Sequence, residues 1–173
     1  GDVYRGKPVV SIADSAFSGS QVTGVVIGNN VTRIGSRAFY NCSAMMSIVI
    51  PESVTSIGAY AFQSCRALES VTVPSGVASL PEYAFAYCKG LKEVTLSEGI
   101  ASVGDYAFHD CESLERIALP DSLNNLGEKA FSECESLKKL STGAGLKQIS
   151  EYAFYECSSL MLSLIHISEP TRP

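Results

Sequence analysis

Six cysteines, His109 and a set of regularly spaced tyrosines are the side chains of this 173-residue chain best suited to chemistry. Cys42, Cys65, Cys88, Cys111, Cys134 and Cys157 follow one another at intervals of 23. Structural zinc takes thiolates paired two to four residues apart on one loop, so a column at this spacing cannot wrap a tetrahedral ion and no metal is expected. A disulfide needs crossed Cβ vectors about 3.8 Å apart, whereas coils stacked in register would present parallel vectors nearer the ~4.8 Å strand spacing. The six are therefore expected to be buried, reduced thiols that pack as small hydrophobes. His109 precedes Cys111 by two, but Ser18, Tyr40, Gln63, Ala86, Ser132 and Tyr155 hold the equivalent slot. A Cys–His nucleophile pair is thus no property of the pattern, and His109 is expected to be solvated. There is no glycine-rich phosphate loop and no HxH or HExxH pair. No catalytic, cofactor-binding or metal-ligating residue is assigned; the chain is expected not to be an enzyme, and cofactors are expected to be none.

What positions these side chains is a repeat. All seven Phe residues fall in Ala-Phe pairs, at Phe17, Phe39, Phe62, Phe85, Phe108, Phe131 and Phe154, spaced 22 once and then 23. Each of the six cysteines sits three residues after a Phe, with Ser20 in that slot of the first unit. A large apolar residue follows three further on (Met45, Leu68, Leu91, Leu114, Leu137, Leu160), then Ile48, Val71, Val94, Ile117 and Leu140. The unit reads A-F-x-x-C-x-x-L-x-x-V-x-V-P-x-x-V-x-x-I-G-x-x, a phase that chance cannot hold for six periods. Its V-x-V segment alternates and is rich in β-branched residues, as a short strand with one inward face does. Pro51, Pro74 and Pro120 end it. Ala and Cys at offsets of one and four, as in Gly58 to Cys65, fit one short helical turn packing inward. Each coil returns the chain one strand spacing along, so the strands stack into a parallel sheet roughly 29 Å long.

The composition agrees with a folded chain. It is 46% hydrophobic and 18% charged, which argues against disorder. A net charge of −5 and a pI near 5.0 remove the basic footprint of nucleic-acid binding, so no nucleic-acid partner is expected. No apolar run reaches about 18 residues, and direct membrane insertion is not expected. The first residues, GDVYRGKPVV, carry neither an initiator Met nor a signal pattern, and a piece of a longer protein is the expectation.

The unit SIGAYAFQSCRALESVTVP, Ser56 to Pro74, resembles the BspA-type leucine-rich repeat of bacterial and some protist surface proteins, over roughly Val9 to Leu160. Against the general pattern L-x-x-L-x-L-x-x-N/C-x-L it has Ser53, Gly76, Gly99 and Ser122 at the Asn position, which only Asn30 keeps. The resemblance implies an α/β repeat solenoid: a leucine-rich-repeat-like right-handed coil with a parallel sheet on the concave side and short helical turns on the other. Residues 9–160 would form it, with 1–8 a partial N-terminal cap or remnant of a preceding segment. The pattern breaks at Ser163, where Val or Ile is due, and Leu162 to Arg172, LSLIHISEPTR, resembles translated sequencing-adapter read-through. Residues 161–173 are therefore expected to be a non-native or disordered tail.

Two outer columns could recognise a ligand. On the concave sheet face stand Ser70, Thr72, Glu93, Thr95, Arg116 and Lys139, within a stripe that is small in the early coils and charged in the late ones. Two residues before successive Phe residues stand Tyr60, Tyr83, Tyr106 and Tyr152, interrupted by Arg37 and Lys129, where stacked rings could hold a sugar or a partner protein. The resemblance implies a non-catalytic binding module of a larger cell-surface or secreted protein, with a protein or glycan ligand, from a host or neighbouring cell. A spacer arm projecting another domain, or an intracellular scaffold, is the alternative.

Overall fold

The structure, a computed structural model, describes residues 3–4 and 7–160. Among the described residues the first six coils contribute two short strands each and the seventh contributes one, and the two sets stack into two layers of parallel strands. The first comprises Gly24–Val26, Ser47–Val49, Ser70–Val73, Glu93–Leu96, Arg116–Ala118 and Lys139–Ser141. Neighbours pair one period apart, as in Val71 with Val94 and Ile117 with Leu140, which is the in-register stack the repeat requires. The expected alternation holds: Ile48, Val71, Val94, Ile117 and Leu140 point into the core while their neighbours face outward. After three of the six strands a turn closes on Pro51, Pro74 or Pro120, whose carbonyl accepts the N–H of Val54, Val77 or Leu123.

The second sheet was not foreseen. The I-G end of the unit forms two-residue strands, Ser11–Ile12, Arg33–Ile34, Ser56–Ile57, Ser79–Leu80, Ser102–Val103, Asn125–Leu126 and Gln148–Ile149. Their ladder breaks between Ser56–Ile57 and Ser79–Leu80. Elsewhere the N–H of Gly35, Gly58, Gly104, Gly127 or Ser150 donates to the coil before, but the fourth coil has Pro81 in that slot and no N–H to give. The first sheet has its own break, between Glu93–Leu96 and Arg116–Ala118, which lie side by side without ladder pairing.

The short helical turns are also corrected. Among the described residues there is no helix; from Gly58 to Cys65 the chain runs through consecutive turns. Ala61, Gln63 and Cys65 donate to carbonyls three residues back, whereas Tyr60, Phe62 and Ser64 donate to Glu82, Ala84 and Ala86 of the next coil. A helix would keep all those N–H groups within its own segment. The alternation is possible because Tyr60 and Ser64 hold left-handed backbone, with φ of 62° at both. All six steps between coils carry three such forward bonds.

Inside this frame the Phe rings form one continuous stack, with centroids 5.0–5.6 Å apart and planes within 5–8°. Phe39, Phe62, Phe85, Phe108 and Phe131 are fully buried, each preceded in the chain by a buried alanine. Coil spacing leaves no room for a side chain at several glycines. A Cβ on Gly127 would lie 2.6 Å from the Asp105 backbone nitrogen and 2.6 Å from the Gly104 carbonyl carbon. Gly127→Ala should therefore cost about 1–3 kcal/mol, as overpacking of a tight interior does. Urea unfolding would measure it; an unchanged midpoint would mean that the coils can part without penalty.

Of the expected domains, residues 161–173 and residues 1, 2, 5 and 6 of the N-terminal segment lie outside the described residues. What is described of the N-terminal segment is a small antiparallel pair, Val3–Tyr4 with Lys7–Pro8.

Candidate functional site

The alternating pattern of the first sheet turns its non-core residues to solvent, and all six sheet-face candidates are exposed there. Ser70 lies opposite Glu93 and Thr72 opposite Thr95 on one side of the break; Arg116 lies opposite Lys139 on the other. Immediately before these strands, Lys92 pairs with Glu69 at 3.6 Å and Lys138 with Glu115 at 4.0 Å. These exposed pairs contribute little to stability. Glu93, Arg116 and Lys139 make no ion pair within 4.0 Å among the described residues. The same face is apolar in the first two coils, where Val26 is 79% exposed, Val49 55% and Met46 53%.

The tyrosine column is more ordered than its sequence suggests. Tyr60 stacks on Tyr83 at 5.0 Å and Tyr83 on Tyr106 at 4.7 Å, with planes 11° and 3° apart. The residues that interrupt the column continue it: Arg37 lies 4.8 Å from the Tyr60 ring centre, and Lys129 sits 5.4 Å from Tyr106 and 5.8 Å from Tyr152. Cations substitute for rings because a π face attracts them as it attracts another aromatic group. Both faces of Tyr83 are covered by neighbours, so a sugar could meet this ring only at its edge and hydroxyl. Burial, together with the Tyr106 and Tyr60 phenols, raises the Tyr83 pKa.

All six cysteines are free, as expected; five are buried and Cys157 half-buried. Their role goes beyond volume. Cys65, Cys88, Cys111, Cys134 and Cys157 donate their thiol hydrogen to the carbonyls of Phe39, Phe62, Phe85, Phe108 and Phe131, at 3.0–3.4 Å, and Cys42 does so to Phe17 at 3.0 Å. Each thiol thereby ties the turn of one coil to the turn of the coil before.

His109 is not solvated as expected but half-buried. It meets the Tyr87 ring edge-on at 5.0 Å and the Tyr106 ring at 5.6 Å. The Ser132 hydroxyl donates to the Lys129 carbonyl at 3.0 Å, so its lone pair accepts the His109 Nδ1 hydrogen at 2.9 Å. Cys111 is engaged with Phe85, and the arrangement offers no nucleophile–base pair. Lys89, which the sequence did not single out, bridges Asp110 at 3.0 Å and Glu112. Among the described residues no three His, Cys, Asp or Glu side chains converge on a metal position, and no helix is long and apolar enough to cross a membrane.

Residues 10–108 and 79–170 match the profile of the BspA type Leucine rich repeat region, in six copies. No curated protein matches the chain by sequence. Solved structures do. The T. pallidum Leucine Rich Repeat protein is 29% identical with a TM-score of 0.87, over 95% of this chain and 77% of its own. A leucine-rich repeat protein from Bacteroides ovatus is 30% identical with a TM-score of 0.80, over 88% of this chain and 39% of its own. A leucine rich cell surface protein from Faecalibacterium prausnitzii is 31% identical with a TM-score of 0.60, over 81% and 45%. The chain thus spans less than half the length of two of these relatives.

Proposed function

Because the chain belongs to the BspA-type leucine-rich repeat family, we propose that it is a non-catalytic binding module of a longer cell-surface protein, recognising a protein or glycan through the outward face of the first sheet. The observation that carries this reading is the row Glu93, Arg116 and Lys139, charged and exposed on neighbouring strands without ion-pair partners among the described residues. Thr72 and Thr95 beside them offer hydroxyls on a rigid platform. A surface location is supported by the relative from Faecalibacterium prausnitzii that bears the description of a cell surface protein. The tyrosine edges at Tyr60, Tyr83, Tyr106 and Tyr152 form a secondary surface for the same partner class. The small residues Gly24, Ser47 and Ser70 at the start of the sheet face favour the competing reading of a spacer arm.

A binding screen against extracellular-matrix proteins and glycans separates the two readings. The chain should bind at least one member saturably, and changing Glu93, Arg116 and Lys139 together to Ser should weaken that binding at least tenfold, about 1.4 kcal/mol. Folded protein that binds nothing across the panel would leave the spacer reading standing.

A further inference from the structure

The outward face of the first sheet is divided in character along its length, and the division specifies a partner. In the late coils, Lys138 is offset by Glu115, which leaves Arg116 and Lys139 as register partners on adjacent strands. Like charges held directly opposite one another repel. Glu93, on the strand before, makes no ion pair with Arg116 within 4.0 Å among the described residues. In a chain of net charge −5 this is a local excess of positive charge. In the first two coils, Val26 and Val49 are register partners and Met46 flanks them, all more than half exposed. Gly24 and Ser47 lie between, small enough to let another backbone approach. Isolated apolar side chains at a surface need no explanation, but three adjacent ones on a flat sheet form a contact patch.

Four strand steps separate Val49 from Lys139, roughly 19 Å, which an extended chain covers in about six residues. We infer that this face, if it is the recognition surface proposed above, takes an extended polypeptide segment lying across the strands. Apolar side chains of that segment rest on Val26, Met46 and Val49, and aspartate or glutamate about five or six residues along answers Arg116 and Lys139. A sulfated or uronic glycan could satisfy the cations but has no apolar side chain for the other end, so the polypeptide is the better match.

The test is selection of random twelve-residue peptides displayed on phage against the full chain, followed by fluorescence anisotropy of the enriched peptides with variants checked for folding by circular dichroism. Enriched peptides should carry an acidic pair five or six residues from an apolar residue. Their affinity should fall at least tenfold with Arg116→Ser/Lys139→Ser, and again with Met46→Ser/Val49→Ser. Peptides without an acidic bias, or unaffected by Arg116→Ser/Lys139→Ser, would overturn this inference; if they are still lost on Thr72→Arg/Thr95→Arg, the sheet face remains a recognition surface for another chemistry. Enrichment of no peptide, with Arg116-dependent binding of a heparin-derived oligosaccharide, would overturn the polypeptide class alone. Failure of both probes would count against the sheet-face reading as well.

Discussion

Phe85→Ala should lower the free energy of unfolding by about 3–5 kcal/mol. The Phe85 ring is fully buried between Phe62 at 5.0 Å and Phe108 at 5.4 Å, so its removal empties a slot bounded by two rings and two backbone ladders. The coils are held at fixed spacing by forward hydrogen bonds on either side of the ring, and they cannot close on the void. Stability in such a stack depends on nearest neighbours, and a central loss weakens two interfaces together. Phe17→Ala is the internal comparison. That ring is 44% exposed and stacks on Phe39 alone, at 5.2 Å, so its loss should be roughly half or less, in proportion to the area it buries. Guanidinium titrations of both variants would measure the difference, and equal losses would show that ring stacking adds nothing beyond side-chain volume.

The second large effect is alkaline. The thiols of Cys65, Cys111 and Cys134 are pushed above their ordinary value of 9.0, Cys65 by the neighbouring Cys88 thiol and by burial, Cys111 by burial, and Cys134 by the neighbouring Cys111 thiol and by burial. In the unfolded chain the same thiols ionise near 9. Above that pH the unfolded state binds fewer protons than the folded one, so stability is intact below pH 9 and falls as pH rises past it. A thiol whose folded pKa stays above the working pH contributes a slope of at most about 1.4 kcal/mol per pH unit. Denaturant midpoints measured from about pH 8 to about pH 10 should therefore fall, and Cys111→Ser should make that fall shallower. A midpoint that stays level through about pH 10 would contradict the sealed thiol column.

The columns were legible in the sequence wherever a side chain's burial was its only task. Phe17 to Phe154 and Cys42 to Cys157 are found from spacing alone, and Val71 and Val94 declare their strand by alternation with Thr72 and Thr95. The turn segment was not legible in the same way, because Ala61, Phe62 and Cys65 at offsets of one and four satisfy a helical turn and a run of β-turns equally. What decides between them is where the N–H of Phe62 goes, and it goes to Ala84, 22 residues along. Nor do bulky residues such as Tyr60 and Tyr83 suggest left-handed backbone, which they tolerate here because the ladder holds them in it. The second sheet escaped notice since two residues per coil, such as Ser56–Ile57, are too few to show a period. On the candidate face, the sequence identified which residues look outward; the ion pairs Lys92–Glu69 and Lys138–Glu115, which isolate Arg116 and Lys139, depend on strand register.

The two breaks in the sheets do not coincide. One falls before Ser79–Leu80 and the other before Arg116–Ala118, with intact pairing in the opposite sheet at each place and the turn ladder unbroken past both. A pull along the solenoid axis therefore meets no plane on which both sheets are already parted, as staggered joints keep a crack from running straight through masonry. Tension at either break passes sideways into the turn ladder and the stacked rings.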